Sequence, residues 1–147
     1  MSDPKPTRVE VRLPSRLGYE KVAMSTAAAV AKLMGFADDR IEDLKTAVAE
    51  ACINAIEHGN RLNENLSVGV ILSSEANALE VKVIDGGKGM TGQPKKPDID
   101  RKMRGEEPAR GLGMFLMQAL VDEAEWVASD DGGGSYVRLV IRLDKAA

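Results

Sequence analysis

Aromatic residues are scarce in this chain: two Tyr, two Phe and one Trp, 3% of 147 residues. The core must therefore be aliphatic, built from Val, Ile, Leu, Met and Ala. Cysteine is scarcer still. Cys52 stands alone, which excludes an internal disulfide and any multi-cysteine metal site. Histidine occurs once, at His58, so no histidine precedes it to serve as an upstream phosphoacceptor. Basic charge is not in excess. The net charge of −3 argues against direct nucleic-acid binding, which needs a basic surface. No apolar run is long enough to cross a bilayer, and the start, Met1-Ser2-Asp3-Pro4-Lys5-Pro6, lacks the apolar segment of a signal peptide. A cytoplasmic protein with no membrane partner is expected.

What is present is ordinary for one folded domain. The chain is 44% hydrophobic and 29% charged, and its length suits a single domain, residues 1–147, with a core of its own. Thr7 to Leu13 alternates, with Val9, Val11 and Leu13 on one face, and reads as a strand. Leu17 to Met34 is Ala-rich and helical, with Gly35 as its C-terminal cap. Asp38 or Asp39 is expected to cap a second helix running to about His58. Leu66 to Leu72 and Leu79 to Ile84 are β-rich runs joined by a turn at Glu75-Ala76-Asn77. A helix from Gly111 to about Asp122 is expected to bury Leu112, Phe115, Leu116, Ala119 and Leu120. Glu125 to Ser129 and Tyr136 to Leu143 form a closing hairpin around Asp131-Gly132-Gly133-Gly134. This order favours an α+β fold, a two-layer α/β sandwich whose mixed sheet is covered by helices on one face.

Three segments carry chemistry. The first is Glu50-Ala51-Cys52-Ile53-Asn54-Ala55-Ile56-Glu57-His58. It places a carboxylate and an amide one helical turn apart, on a different face from the apolar Ile41, Leu44, Val48, Ala51, Cys52 and Ala55. The second is Asp85-Gly86-Gly87-Lys88-Gly89, an acid at a strand end followed by glycines. The third is Arg110-Gly111-Leu112-Gly113-Met114-Phe115-Leu116, a glycine pair opening a helix. Each alone has a plain reading: a solvated polar face shared with Asp43 and Glu57, a turn-forming Asp-Gly pair, a glycine-rich helix start. Together and in this order they supply the separate parts of an ATP site.

In order and spacing the set resembles the GHKL group of ATP-binding domains, the superfamily of histidine kinases, gyrase and MutL. The first segment's wording and the overall length resemble its anti-sigma-factor serine kinases, the RsbW and SpoIIAB type. The resemblance covers nearly the whole chain and implies the histidine-kinase-like ATPase fold, also called the Bergerat fold, with ATP and Mg2+ as cofactors. It implies that Asn54 coordinates a magnesium ion bridging the phosphates and that Glu50 is the general base towards the attacking hydroxyl. Asp85 would accept a hydrogen bond from the adenine amino group. Gly87 and Gly89 would let the backbone approach the nucleotide, with variable residues at Gly86 and Lys88. Gly111, Leu112 and Gly113 would open a phosphate cradle at a helix N-terminus, with Arg110 adding charge. Ser135 stands where the family places a hydroxyl near adenine. His58 and Cys52 read more simply, as a helix end and a small buried residue.

Residues 86–110 hold seven basic and four acidic side chains. They are either a basic ATP lid or a solvated loop. The resemblance implies a protein serine/threonine kinase that phosphorylates a STAS-type anti-sigma-factor antagonist and sequesters a sigma factor, expected as a homodimer. Alternatives are a non-catalytic ATP-binding switch that docks on a phosphatase, and an ATP-binding fragment of a histidine kinase. An ATPase of the gyrase or MutL class would need further domains.

Overall fold

Alternating apolar residues build the sheet, and two helical stripes cover it. A computed structural model describes residues 5–86, 108–128 and 135–143. The elements are β1 (Thr7–Pro14), α1 (Glu20–Met34), α2 (Asp38–Asn54), a π-helical turn (Ala55–Gly59), β2 (Ser67–Glu75), β3 (Ala78–Ile84), α3 (Pro108–Leu120), β4 (Glu123–Ala128) and β5 (Ser135–Arg142). The five strands form one sheet in the order β1-β2-β3-β5-β4. Every neighbouring pair is antiparallel, so the expected α+β sandwich is present but its sheet is not mixed. The expected lid falls mostly on 87–107, and the closing hairpin's turn on 129–134, both outside the described residues.

Successive side chains of a strand point to opposite faces. Val68, Val70 and Leu72 of β2, Leu79, Val81 and Val83 of β3, and Val137, Leu139 and Ile141 of β5 are all buried on the helix-covered face. On the other face lies the row Glu10, Ile71, Lys82, Arg138 and Glu125, in cross-strand register. Arg138 donates there to Glu80 at 2.6 Å, Glu123 at 2.9 Å and Glu125 at 3.1 Å.

The helices follow their small residues. α1 buries Ala23, Ala27 and Ala31, four apart, and so can lie close to α2. It ends at Gly35, whose φ of 97° closes the helix as its N–H reaches the carbonyls of Ala31 and Lys32. α2 buries Ile41, Leu44, Ala47, Val48, Ala51 and Cys52. Its cap departs from expectation. Ala37 takes the N-cap position without a side-chain bond, and Asp38 and Asp39 lie in the first turn, where their charge favours the helix dipole instead.

α3 begins at Pro108 rather than Gly111, with proline in the first helical position that suits it. The stripe expected to bury is turned outward. Leu112, Phe115 and Leu116 are 68%, 70% and 40% exposed, and Ala119 is exposed as well. Gly113, Met117 and Val121 face inward, with Leu120 partly buried. Gly113 is the buried residue of this turn and lies close to α2, where an added β-carbon would meet the Glu50 carboxylate.

Candidate functional site

The last turn of α2 presents Glu50 and Asn54 beside α3. A β-carbon built on Gly113 would lie 2.5 Å from Glu50 Oε2 and 3.2 Å from Asn54 Nδ2. Thus the first and third sequence segments meet through their predicted residues, in contact across two helices. Leu112, one residue before, is largely solvent-exposed. Gly111 lies in the first turn of α3. The side chain of Arg110 lies outside the described residues, as do Gly87 and Gly89.

The second segment meets the first one turn further along. After Asn54 the helix widens into the π-helical turn Ala55–Gly59, and its last residue reaches Asp85. A β-carbon on Gly59 would stand 2.6 Å from both Asp85 Cβ and Asp85 Oδ2. Asp85 sits just past the end of β3. Its backbone N–H donates to the Ser135 carbonyl at 3.1 Å. Its carboxylate accepts the Ser135 N–H at 3.3 Å and the Ser135 hydroxyl at 3.2 Å. So Asp85 and Ser135, 50 residues apart in sequence, are brought together, as two groups reading one ligand would have to be.

Two features escaped the sequence. Gly86 is a constrained position rather than a variable one. A β-carbon there would lie 2.8 Å from Asn60 Oδ1 and 2.9 Å from Leu66 Cβ. Asn60, which read only as the residue after a helix stop, is 2% exposed. Its amide bonds Gly86, Ser15 and Ser67. A Gly-Asn pair is a common helix terminator, so nothing local marked it.

Cys52 lies inside the first segment but on the buried side. Burial, and then the nearby Glu20 charge, pushes its thiol up to about 12. It is a protonated core residue, not a nucleophile. His58 is exposed, 4.0 Å from Glu57. Among the described residues no cluster of three or more His, Cys, Asp or Glu could hold a metal ion. The Asn54 amide oxygen still suits a magnesium ion that takes its remaining ligands from phosphate and water, since this ion prefers oxygen and keeps much of its hydration. Among the described residues no helix is long and apolar enough to cross a membrane.

Comparison with known proteins identifies the family. Residues 13–141 match the histidine kinase-like ATPase domain. The serine-protein kinase RsbW of Bacillus subtilis (strain 168) is 34% identical over 124 residues, which is 78% of this chain and 74% of that protein. RsbW of Bacillus cereus (strain AH820) is 30% identical over 130 residues, 85% of this chain and 79% of that protein. Among solved structures, the RsbU and RsbW domains of a Mycobacterium tuberculosis protein superpose with a TM-score of 0.65 at 21% identity. That match covers 93% of this chain and 32% of the other, so the chain spans about a third of that protein's length and the likeness speaks for the fold. With the fold, the meeting of Glu50, Asn54 and Gly113 and these relatives taken together, the chain belongs to the histidine kinase-like ATPase family and, within it, to the RsbW serine-protein kinases.

Proposed function

We propose that this chain is an ATP-dependent protein serine/threonine kinase acting as an anti-sigma factor. Its substrate is a hydroxyl on a STAS-type antagonist, and it sequesters a sigma factor when that antagonist is phosphorylated and released. One observation carries the reading above the rest: Gly113 of α3 is seated against Glu50 and Asn54 of α2. That juxtaposition sets a carboxylate and an amide against the second turn of α3.

Adenine lies towards Asp85 and Ser135, and the triphosphate towards Asn54 and the start of α3. Free backbone N–H groups at a helix start and its positive dipole end favour phosphate there. Magnesium, when bound through the Asn54 amide oxygen, neutralises phosphate charge. The substrate hydroxyl oxygen attacks the γ-phosphorus as the bond to the β-phosphate oxygen breaks, and ADP departs. Glu50 accepts the hydroxyl proton. Little other chemistry is needed, because phosphoryl transfer depends mainly on positioning and charge stabilisation.

The test is transfer of labelled γ-phosphate from ATP and magnesium to a purified STAS-type antagonist, with phosphoserine or phosphothreonine as product. If nucleotide-dependent docking occurs but no partner is ever phosphorylated, the chain is a non-catalytic switch instead.

A further inference from the structure

We propose that Asn60 is a positioning residue for base recognition: it clamps the Asp85-Gly86 turn and so sets the nucleotide preference of the site. The inference rests on the reading of Asp85 as the adenine acceptor.

Asn60 is 2% exposed and uses both ends of its amide. Oδ1 accepts the Gly86 N–H at 2.5 Å. Nδ2 donates to Ser15 Oγ at 2.6 Å and to the Ser67 carbonyl at 3.1 Å. Ser15 in turn donates to the Leu66 carbonyl at 2.7 Å. One side chain thus joins the residue after β1, the start of β2 and the residues after β3. A buried amide is costly unless its bonds are made, and an aliphatic residue would fill space without that demand. The bonds therefore point to a positional duty.

The backbone around Asn60 supports this. The helix unwinds into a π-helical turn immediately before it. Arg61 and Leu62 follow at φ 52° and 61°, a region side-chain-bearing residues seldom occupy. Such conformations persist where the surroundings over-determine them, and they cluster at functional sites. Here the corner brings two residue pairs face to face. Gly59 lies against Asp85, and Asn60 lies against Gly86. Ser135 also holds the Asp85 carboxylate. Because Asn60 is six residues beyond Asn54 on the same continuous segment, it ties the base-reading turn to the helix that carries the phosphate-side groups.

The test compares ATP with inosine triphosphate, in which a carbonyl oxygen replaces the adenine amino group. Calorimetry on the full chain gives the ratio of the two affinities with magnesium present. A site that bonds the amino group should prefer ATP by about tenfold or more, since the analogue sets an acceptor oxygen where the Asp85 carboxylate needs a donor. Asn60→Ala should bring the ratio to within about threefold while leaving the magnesium dependence of binding unchanged. Gly86→Ala pushes on the same contact from the other side and should do likewise, so the test stands even where Asn60→Ala does not fold. A folded Asn60→Ala or Gly86→Ala variant with the wild-type ratio overturns the role of Asn60 and leaves Asp85 as base reader. A wild-type protein that binds ATP without preference overturns the adenine role of Asp85, and that of Asn60 with it.

Discussion

Gly113→Ala separates catalysis from folding more sharply than any change at the ionisable groups themselves. The added methyl would stand 2.5 Å from Glu50 Oε2 and 3.2 Å from Asn54 Nδ2. To reach the 3.4 Å where ordinary contact begins, the carboxylate must retreat by about 0.9 Å. Glu50 is partly exposed and its head is the far end of a flexible chain, so the retreat is cheap for the fold. Alanine also favours a helix interior over glycine by roughly 0.5–1 kcal/mol, which offsets part of the clash. The melting temperature should therefore change by only a few degrees. Catalysis should not be spared, because a displacement of about 1 Å at a reacting group can cost about a hundredfold in rate. Glu50→Gln, which keeps shape and removes the basic oxygen, should cost about as much. If Gly113 acts through Glu50, the double variant should be no slower than Glu50→Gln alone. The assay is single-turnover transfer of labelled phosphate to a purified antagonist, with ATP affinity measured alongside. Wild-type transfer by a folded Gly113→Ala protein, or full additivity in the double variant, would refute the argument.

Other changes probe the remaining parts. Asp85→Asn should weaken ATP binding by about tenfold or more, since the Ser135 N–H and hydroxyl both lie on the Asp85 carboxylate and an amide presents only one acceptor; calorimetry reads it, and unchanged affinity would remove Asp85 from the base pocket. Asn54→Ala should abolish the gain in ATP affinity that magnesium gives and leave magnesium-free binding nearly intact, so a persistent metal effect in that variant would place the ion elsewhere. Cys52, fully buried, should label with a thiol reagent only as fast as the native protein opens. Its thiol is raised in the fold from 9.0 to about 12, so its contribution to stability is complete below about pH 9 and is lost as pH rises towards 12. Denaturant midpoints measured against pH, for wild type and Cys52→Ala, check the sign.

The sheet was legible because alternation is a local signal. Val9, Val11 and Leu13, or Leu79, Val81 and Val83, can be assigned to one face without knowing what covers them. The residues of the candidate site stand out in the sequence for another reason: carboxylate, amide and glycine types recur in the order the proposed chemistry needs. What remained hidden was set by contacts between distant segments. Hydrophobicity alone turned Leu112, Phe115 and Leu116 inward, but helix rotation is decided by how α3 packs on α2, where Gly113 faces Glu50 and Asn54. A buried stripe of Gly113, Met117 and Val121 is too weakly apolar at its start to announce itself. Asn60 was hidden because polarity suggests a surface residue. Only the fold brings Ser15, Ser67 and Gly86 around it.

The span of those contacts bears on how the protein comes to life. Ser15 meets Asn60 across 45 residues, and Asp85 meets Ser135 across 50. The base-reading corner thus needs the stretch after the first strand and the start of the last strand at once. A chain emerging from the ribosome cannot complete this corner until β5 has been made. Contacts so distant also form late and slowly, because loop closure must precede them. Nucleotide in turn rewards only the finished arrangement and stabilises it by mass action. Because β5 lies inside the sheet between β3 and β4, the Asp85–Ser135 contact holds only while the sheet does, so on the proposed reading of Asp85 nucleotide occupancy would report on the integrity of the whole sheet.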